Sequence, residues 1–151
     1  MMDKIVVYDD SLKDEVFAFT DACFRDVGKA FEPDGRHSFY NDIEHEFDRF
    51  WCLLSNGAVA GTVAIRREDE TTAELKAMYL SPDLRGKGYG YKMLEVAVGY
   101  CKDSGYERIV LDSISSYKSA LHLYEKYGFK YIERYNDNRK ADVFMEYRIC
   151  E

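Results

Sequence analysis

The sequence predicts an α/β domain: a mixed sheet of six or seven strands, antiparallel in its N-terminal part, crossed over once by a βαβ unit and covered by helices on both faces. Three observations predict it. A chain of 151 residues, 46% hydrophobic and 32% charged, holds one packed core and is short for two, so residues 1–151 read as a single domain. Two β-rich runs meet at Asn56 and Gly57, the strongest short hairpin signal a sequence offers. From Ala73 the order becomes strand, glycine loop, helix, strand, helix, which in one sheet makes the flanking strands parallel neighbours with a right-handed connection.

Ile5 to Tyr8 reads as a first strand, and Ser11 with Asp14 has the form of a capping box opening a helix. Leu12, Val16, Phe19 and Cys23 recur at helical spacing and give that helix one buried stripe. The stretch Glu32 to Asp48 carries Phe39, Tyr40, Ile43 and Phe47 among acidic residues and predicts a second, less regular helix. Arg49 to Leu54 and Val59 to Arg66 are the hairpin strands, and Ala73 to Leu80 adds a third arm. The crossover helix runs from about Gly88 to Lys102, with Leu94, Ala97, Val98 and Cys101 as its core stripe. Arg108 to Asp112 is the next strand and Tyr117 to Tyr127 the next helix; Gly105 and Gly128 stand where helix stops belong. Lys130 to Tyr135 and Val143 to Ile149 finish the sheet around a polar turn at Asn136, Asp137 and Asn138.

The loop Arg85, Gly86, Lys87, Gly88, Tyr89, Gly90 leaves a strand and enters a helix. Unpaired backbone amides collect there at the positive end of the helix dipole, and anions bind to them. Glycine permits close approach and unusual dihedrals, while Arg85, Lys87 and Lys92 add positive charge to a chain of net charge −7. No GxxxxGK precedes a Ser or Thr, and the loop follows a late hairpin strand, so neither a P-loop nor a dinucleotide-binding fingerprint is present.

These residues resemble the (Q/R)xxGx(G/A) signature of the GNAT N-acetyltransferase superfamily. Glu74 to Pro82 is similar to the family's fourth strand, and Ser119 to Phe129 to its "A..LYEK.GF" segment; the likeness runs from about Ala73 to Tyr147. The resemblance implies the GNAT fold and acetyl-CoA as acyl donor. Arg85 to Gly90 and Tyr91 would hold the pyrophosphate, and Met78, Tyr79 and Leu80 would pair with the pantetheine arm like an added strand. An amide near Met78 would polarise the thioester carbonyl. Tyr117 stands where many relatives carry an Asn that touches the arm.

The same resemblance names the acid and base candidates. Tyr124 aligns with the general acid that protonates the departing thiolate. Glu74 matches the catalytic glutamate of the histone acetyltransferase branch and would share its face with Lys76 and Met78 by strand alternation. Asp112, at the end of the fifth strand, is the rival base. The implied reaction is direct transfer from acetyl-CoA to a primary amine, a small molecule being favoured over a protein N-terminus or lysine. A non-catalytic acyl-CoA-binding module is the alternative from another class. Homodimers are common in such families.

Cys23, Cys52, Cys101 and Cys150 form no CxxC pair, and His37, His45 and His122 lack metal-ligand spacing, so no metal is expected. Acidity disfavours nucleic acid, and no apolar run of membrane-spanning length or signal-peptide order appears, so a cytoplasmic protein is expected. For the acceptor, acidic residues in Asp34 to Asp48 and the cations Arg66, Arg67, Arg134 and Arg139 point in opposite directions.

Overall fold

A computed structural model describes residues 3–149 and has one seven-stranded sheet in the order β1-β2-β3-β4-β5-β7-β6. Strands β1 (Lys4–Val7), β2 (Arg49–Ser55), β3 (Ala58–Arg67) and β4 (Thr72–Leu80) pair antiparallel in sequence. The β2–β3 turn takes positive φ at both central residues, Asn56 (52°) and Gly57 (82°), the geometry that matches the twist of a hairpin. Helix α3 (Tyr89–Asp103) then carries the chain to β5 (Arg108–Ser113), parallel to β4, and α4 (Lys118–Tyr127) leads to β6 (Lys130–Tyr131) and β7 (Val143–Arg148).

Each face of the sheet has its own core. Trp51, Leu53, Val63, Ile65, Ala73 and Leu75 pack against α3 and α4, where the predicted stripe Leu94, Ala97, Val98 and Cys101 is buried together with Met93. Full burial of Met93 or Leu94 contributes about 1.5–3 kcal/mol each. Tyr8, Phe50, Cys52 and Ala64 face the other way, against Val16 of α1 (Lys13–Asp26) and against Tyr40, Ile43 and Phe47.

Local departures from expectation have local causes. Asp9, not Ser11, caps the first helical segment: its carboxylate accepts from the Ser11 amide at 2.8 Å, and a 3₁₀ turn, Asp10–Leu12, precedes α1. Along α1 the row Val16, Thr20 and Phe24 is buried while Leu12, Phe19 and Cys23 are only half-buried, so the face turned to the sheet lies to one side of the expected stripe. The second helix shrinks to a 3₁₀ turn, Ser38–Asp42, and one α turn, α2 (Ile43–Glu46). Residues after Tyr131 leave the ladder once the Ile132 amide has bonded the Phe144 carbonyl, so β6 is two residues long, and β7 lies between it and β5. Cys150 lies outside the described residues.

Two irregularities in β4 position the site. It pairs with β5 only at Thr72, Ala73 and Glu74, beyond which the two strands part. Against β3 its register slips: Ala64 faces Lys76 and Thr62 faces Tyr79, so β4 carries one extra residue, and Ala77 takes φ of 53°. Thr62 Oγ1 fixes the bulge by donating to the Ala77 carbonyl at 2.6 Å. The extra residue reverses the alternation. Ala73 and Leu75 face α3 and α4, Ala77 faces the opposite core, and Met78 and Leu80 return to the first. Met78 therefore does not share a face with Glu74.

Candidate active site

The parting of β4 and β5 opens a cleft of about 940 Å³ that runs from the glycine loop to the segment around His37. Beyond Glu74 one side of β4 is bound to β3 and the other has no strand partner, leaving main-chain donors and acceptors of the Met78–Leu80 stretch free for an extended ligand. Met78, Tyr79 and Leu80 line the cleft, as do Arg85, Gly86, Gly88, Gly90, Tyr91 and Tyr117.

At the mouth of α3, Gly86 and Gly88 adopt φ of 76° and 88°, the left-handed region that glycine enters at least cost. The first intrahelical bond joins the Lys92 amide to the Gly88 carbonyl, so the amides of Tyr89, Gly90 and Tyr91 have no acceptor within the helix. Gly90 serves a different purpose from its neighbours. A Cβ there would lie 2.8 Å from Leu123 Cδ2, so its missing side chain lets α3 approach α4. Lys87 and the Tyr89 ring do not line the cleft; the Tyr89 hydroxyl donates to Asp3 on the far side.

Tyr124 is buried against Phe129, and its hydroxyl has no hydrogen-bond partner among the described residues although the side chain lines the cleft. Burial, reinforced by the negative charge of Asp112, raises its pKa well above the ordinary phenol value. The group therefore stays protonated and able to donate. Asp112 also lines the cleft, with Oδ2 accepting from Asn136 Nδ2 at 2.7 Å.

Glu74 sits at the last β4–β5 pair, opposite Val110, 2% exposed and outside the cleft lining. Its Oε2 accepts from the Tyr135 hydroxyl at 2.7 Å, and its Oε1 lies 3.6 Å from Arg66 and 4.0 Å from Lys76. Sequence reasoning missed both Tyr135 and Asn136. Their only signal was the polar turn after the sixth strand, which says nothing of the distant carboxylates they reach.

Cys23 lines the cleft too, but burial and the nearby Asp26 push its thiol up to about 11, which leaves almost no thiolate at neutral pH. Among the described residues no group of three His, Cys, Asp or Glu side chains could hold a metal, and no helix is long and apolar enough to cross a membrane. The cleft lining is cationic in an acidic chain, with eight Lys or Arg side chains against three Asp.

Comparison with known proteins decides the family, because the acetyltransferase (GNAT) family profile matches residues 13–129. The chain belongs to the GNAT acetyltransferase family. Human N-acetylaspartate synthetase, a GNAT relative, is 33% identical over 118 residues, 72% of this chain and 38% of that one. The chain spans about half the length of the curated GNAT relatives it matches, 60 and 52% of two bacterial proteins. The solved structure of an acetyltransferase from Streptococcus agalactiae superposes with a TM-score of 0.88 at 25% identity, covering 97% of this chain and 98% of that one. A Salmonella typhimurium acetyltransferase, crystallised with its cofactor acetyl-CoA, has the same GNAT fold, with a TM-score of 0.77 at 19% identity, covering 100% of this chain and 96% of that one.

Proposed function

We propose that this GNAT protein moves the acetyl group of acetyl-CoA to the primary amine of a small molecule, by direct attack in a ternary complex. The observation that carries the reading is the single cleft joining the amide-lined loop, the unpaired β4 edge, Tyr124 and Asp112. The residues present fit acetyl-CoA: free helix-entrance amides with Arg85 beside them suit its diphosphate, and the open strand edge suits its extended arm. Acetyl-CoA supplies an activated acyl carbon and a sulfur leaving group.

The remaining chemistry belongs to side chains and main chain. A primary amine is protonated at neutral pH, and freeing its lone pair costs roughly 4–5 kcal/mol. Asp112, whose carboxylate reaches the cleft, takes that proton directly or through water, whereas Glu74 is held by the Tyr135 hydroxyl outside the cleft lining. Main-chain N–H groups around Met78 are donors set in advance for charge developing on the carbonyl oxygen. The N–C bond forms as the C–S bond breaks. Of the two protons the ammonium loses, one leaves for solvent by way of Asp112. The other offsets the proton that Tyr124 gives to the sulfur. The high pKa of the Cys23 thiol argues against an acyl-enzyme. The relative named for N-acetylaspartate supports a small acceptor, and the 137–141 segment with His37, Phe39 and Tyr40 lines the end of the cleft where it would sit.

The test is free-thiol release from acetyl-CoA with a panel of amino acids, polyamines, aminoglycosides and short peptides. At least one small amine should be turned over faster than any peptide. Faster peptide acetylation would overturn the small-molecule assignment, and tight acetyl-CoA binding without turnover on any amine would identify a non-catalytic module.

A further inference from the structure

The acceptor end of the cleft collects positive charge from separate parts of the chain. Lys29, just past α1, is half-buried, with its ammonium 4.8 Å from the Phe24 ring centroid and 5.7 Å from that of Tyr117. No carboxylate lies within ion-pairing distance of it among the described residues. Arg36 comes from the next segment and Lys140 from the β6–β7 connection, and both line the same space. Burial first, then the charges of Arg36 and Lys140, lower the Lys29 pKa against the opposing pull of Asp112. Arg36 keeps a loose pair with Glu32 at 3.6 Å, whereas Lys140, like Lys29, has none among the described residues.

His37 completes the group. Its Nδ1 accepts the Glu32 amide at 3.0 Å, so the neutral ring carries its proton on Nε2, which has no partner among the described residues. Burial and the neighbouring cations hold the ring below the ordinary histidine pKa, and it stays neutral at physiological pH. Three like charges gathered around one concavity repel each other and create a strong positive potential there. Of the other cations of the cleft, Arg139 lies beside Lys140 on the same connection, whereas Lys76 turns toward Glu74 and Arg85, Lys118 and Lys126 belong to the glycine loop and α4.

We propose that the acceptor amine also carries a carboxylate, gripped by Lys29 and Lys140 and by a hydrogen bond from His37 Nε2, while its nitrogen faces Asp112. This rests on the acetyl-transfer reading above and adds the substrate class to it. The cations Arg66, Arg67 and Arg134 do not line the cleft. Arg66 faces Glu74, and Arg134 is spent on the carbonyls of Asn138 and Ala141.

The experiment uses matched sets: an α-amino acid, its carboxamide and its decarboxylated amine, with acetyl-CoA and the full chain, as wild type, Lys29→Gln and Lys140→Gln. Wild type should favour the acid over the other two by about tenfold or more in kcat/KM, through KM, as expected for a hydrogen-bonded charge. Each variant should lose most of that preference, the drop in kcat/KM falling on the acid. Calorimetry of the N-acetyl amino acid and the N-acetyl amine on the CoA-loaded protein reads the site without turnover. Binding of the acid alone, lost in both variants, supports the site even if no amine is acetylated, an outcome that overturns only the transfer reading. Equal handling of the acid and its uncharged partners, in turnover or in binding, overturns the proposal.

Discussion

Tyr124 owes its place to helix spacing and its chemistry to isolation. Its ring packs on Phe129 and its hydroxyl has no partner among the described residues, so removing the oxygen leaves the packing intact. Tyr124→Phe should lower kcat by about tenfold or more, with acetyl-CoA affinity by calorimetry unchanged within about twofold. Wild-type turnover in this variant from about pH 6 to pH 9 would remove the phenol from the reaction. Tyr124 was singled out by the likeness of its helix to the family segment, and its side chain lines the cleft. The partners of the two candidate bases were not legible, since Tyr135 reaches Glu74 across 61 residues and Asn136 reaches Asp112 across 24. No periodicity encodes a contact of that range.

Among the elements, the meeting of α3 and α4 depends on Gly90. Alanine is intrinsically the better helix former by up to about 1 kcal/mol, so any loss on Gly90→Ala reports the crowding of Leu123. We expect that variant to be destabilised by about 1–2 kcal/mol in denaturant unfolding and to bind CoA more weakly. Adding Leu123→Ala should restore part of both, with a coupling of about 1 kcal/mol. Strictly additive effects would show that the two helices do not meet there. The glycine loop itself could be read from sequence, because positive φ at Gly86 and Gly88 is a demand of the turn. The purpose of Gly90 could not, since it comes from a neighbour on another helix. The α1 stripe was legible only at Val16 for a similar reason: whether the row through Thr20 and Phe24 or the one through Phe19 and Cys23 turns inward is decided by packing against the sheet, not by spacing along the helix.

For the whole molecule, the sheet is held closed by two cores but parted at its centre, so a ligand that fills the gap acts on both halves. Acetyl-CoA at about 100 times its Kd should add about 2.7 kcal/mol to stability. For a domain of this size that raises Tm by roughly 5–10 °C, readable in a thermal scan. Gly88→Ala should reduce the shift, because its φ of 88° is strained for alanine and the loop would lose its shape. An unmoved Tm in saturating acetyl-CoA would remove the cofactor assignment. The antiparallel start and the crossover were legible from strand order, whereas the insertion of β7 between β5 and β6 was not, because chain order does not specify which neighbour a late strand joins. Ala77 shows how much hangs on a single surplus amino acid. A chain one residue shorter between Lys76 and Met78 would zip into a plainer ribbon and turn the end of its strand inside out, giving each layer the side chains meant for the other. Length changes that a surface loop absorbs are barred at this point, and the molecule tolerates a kinked backbone there as the condition for having an open cleft.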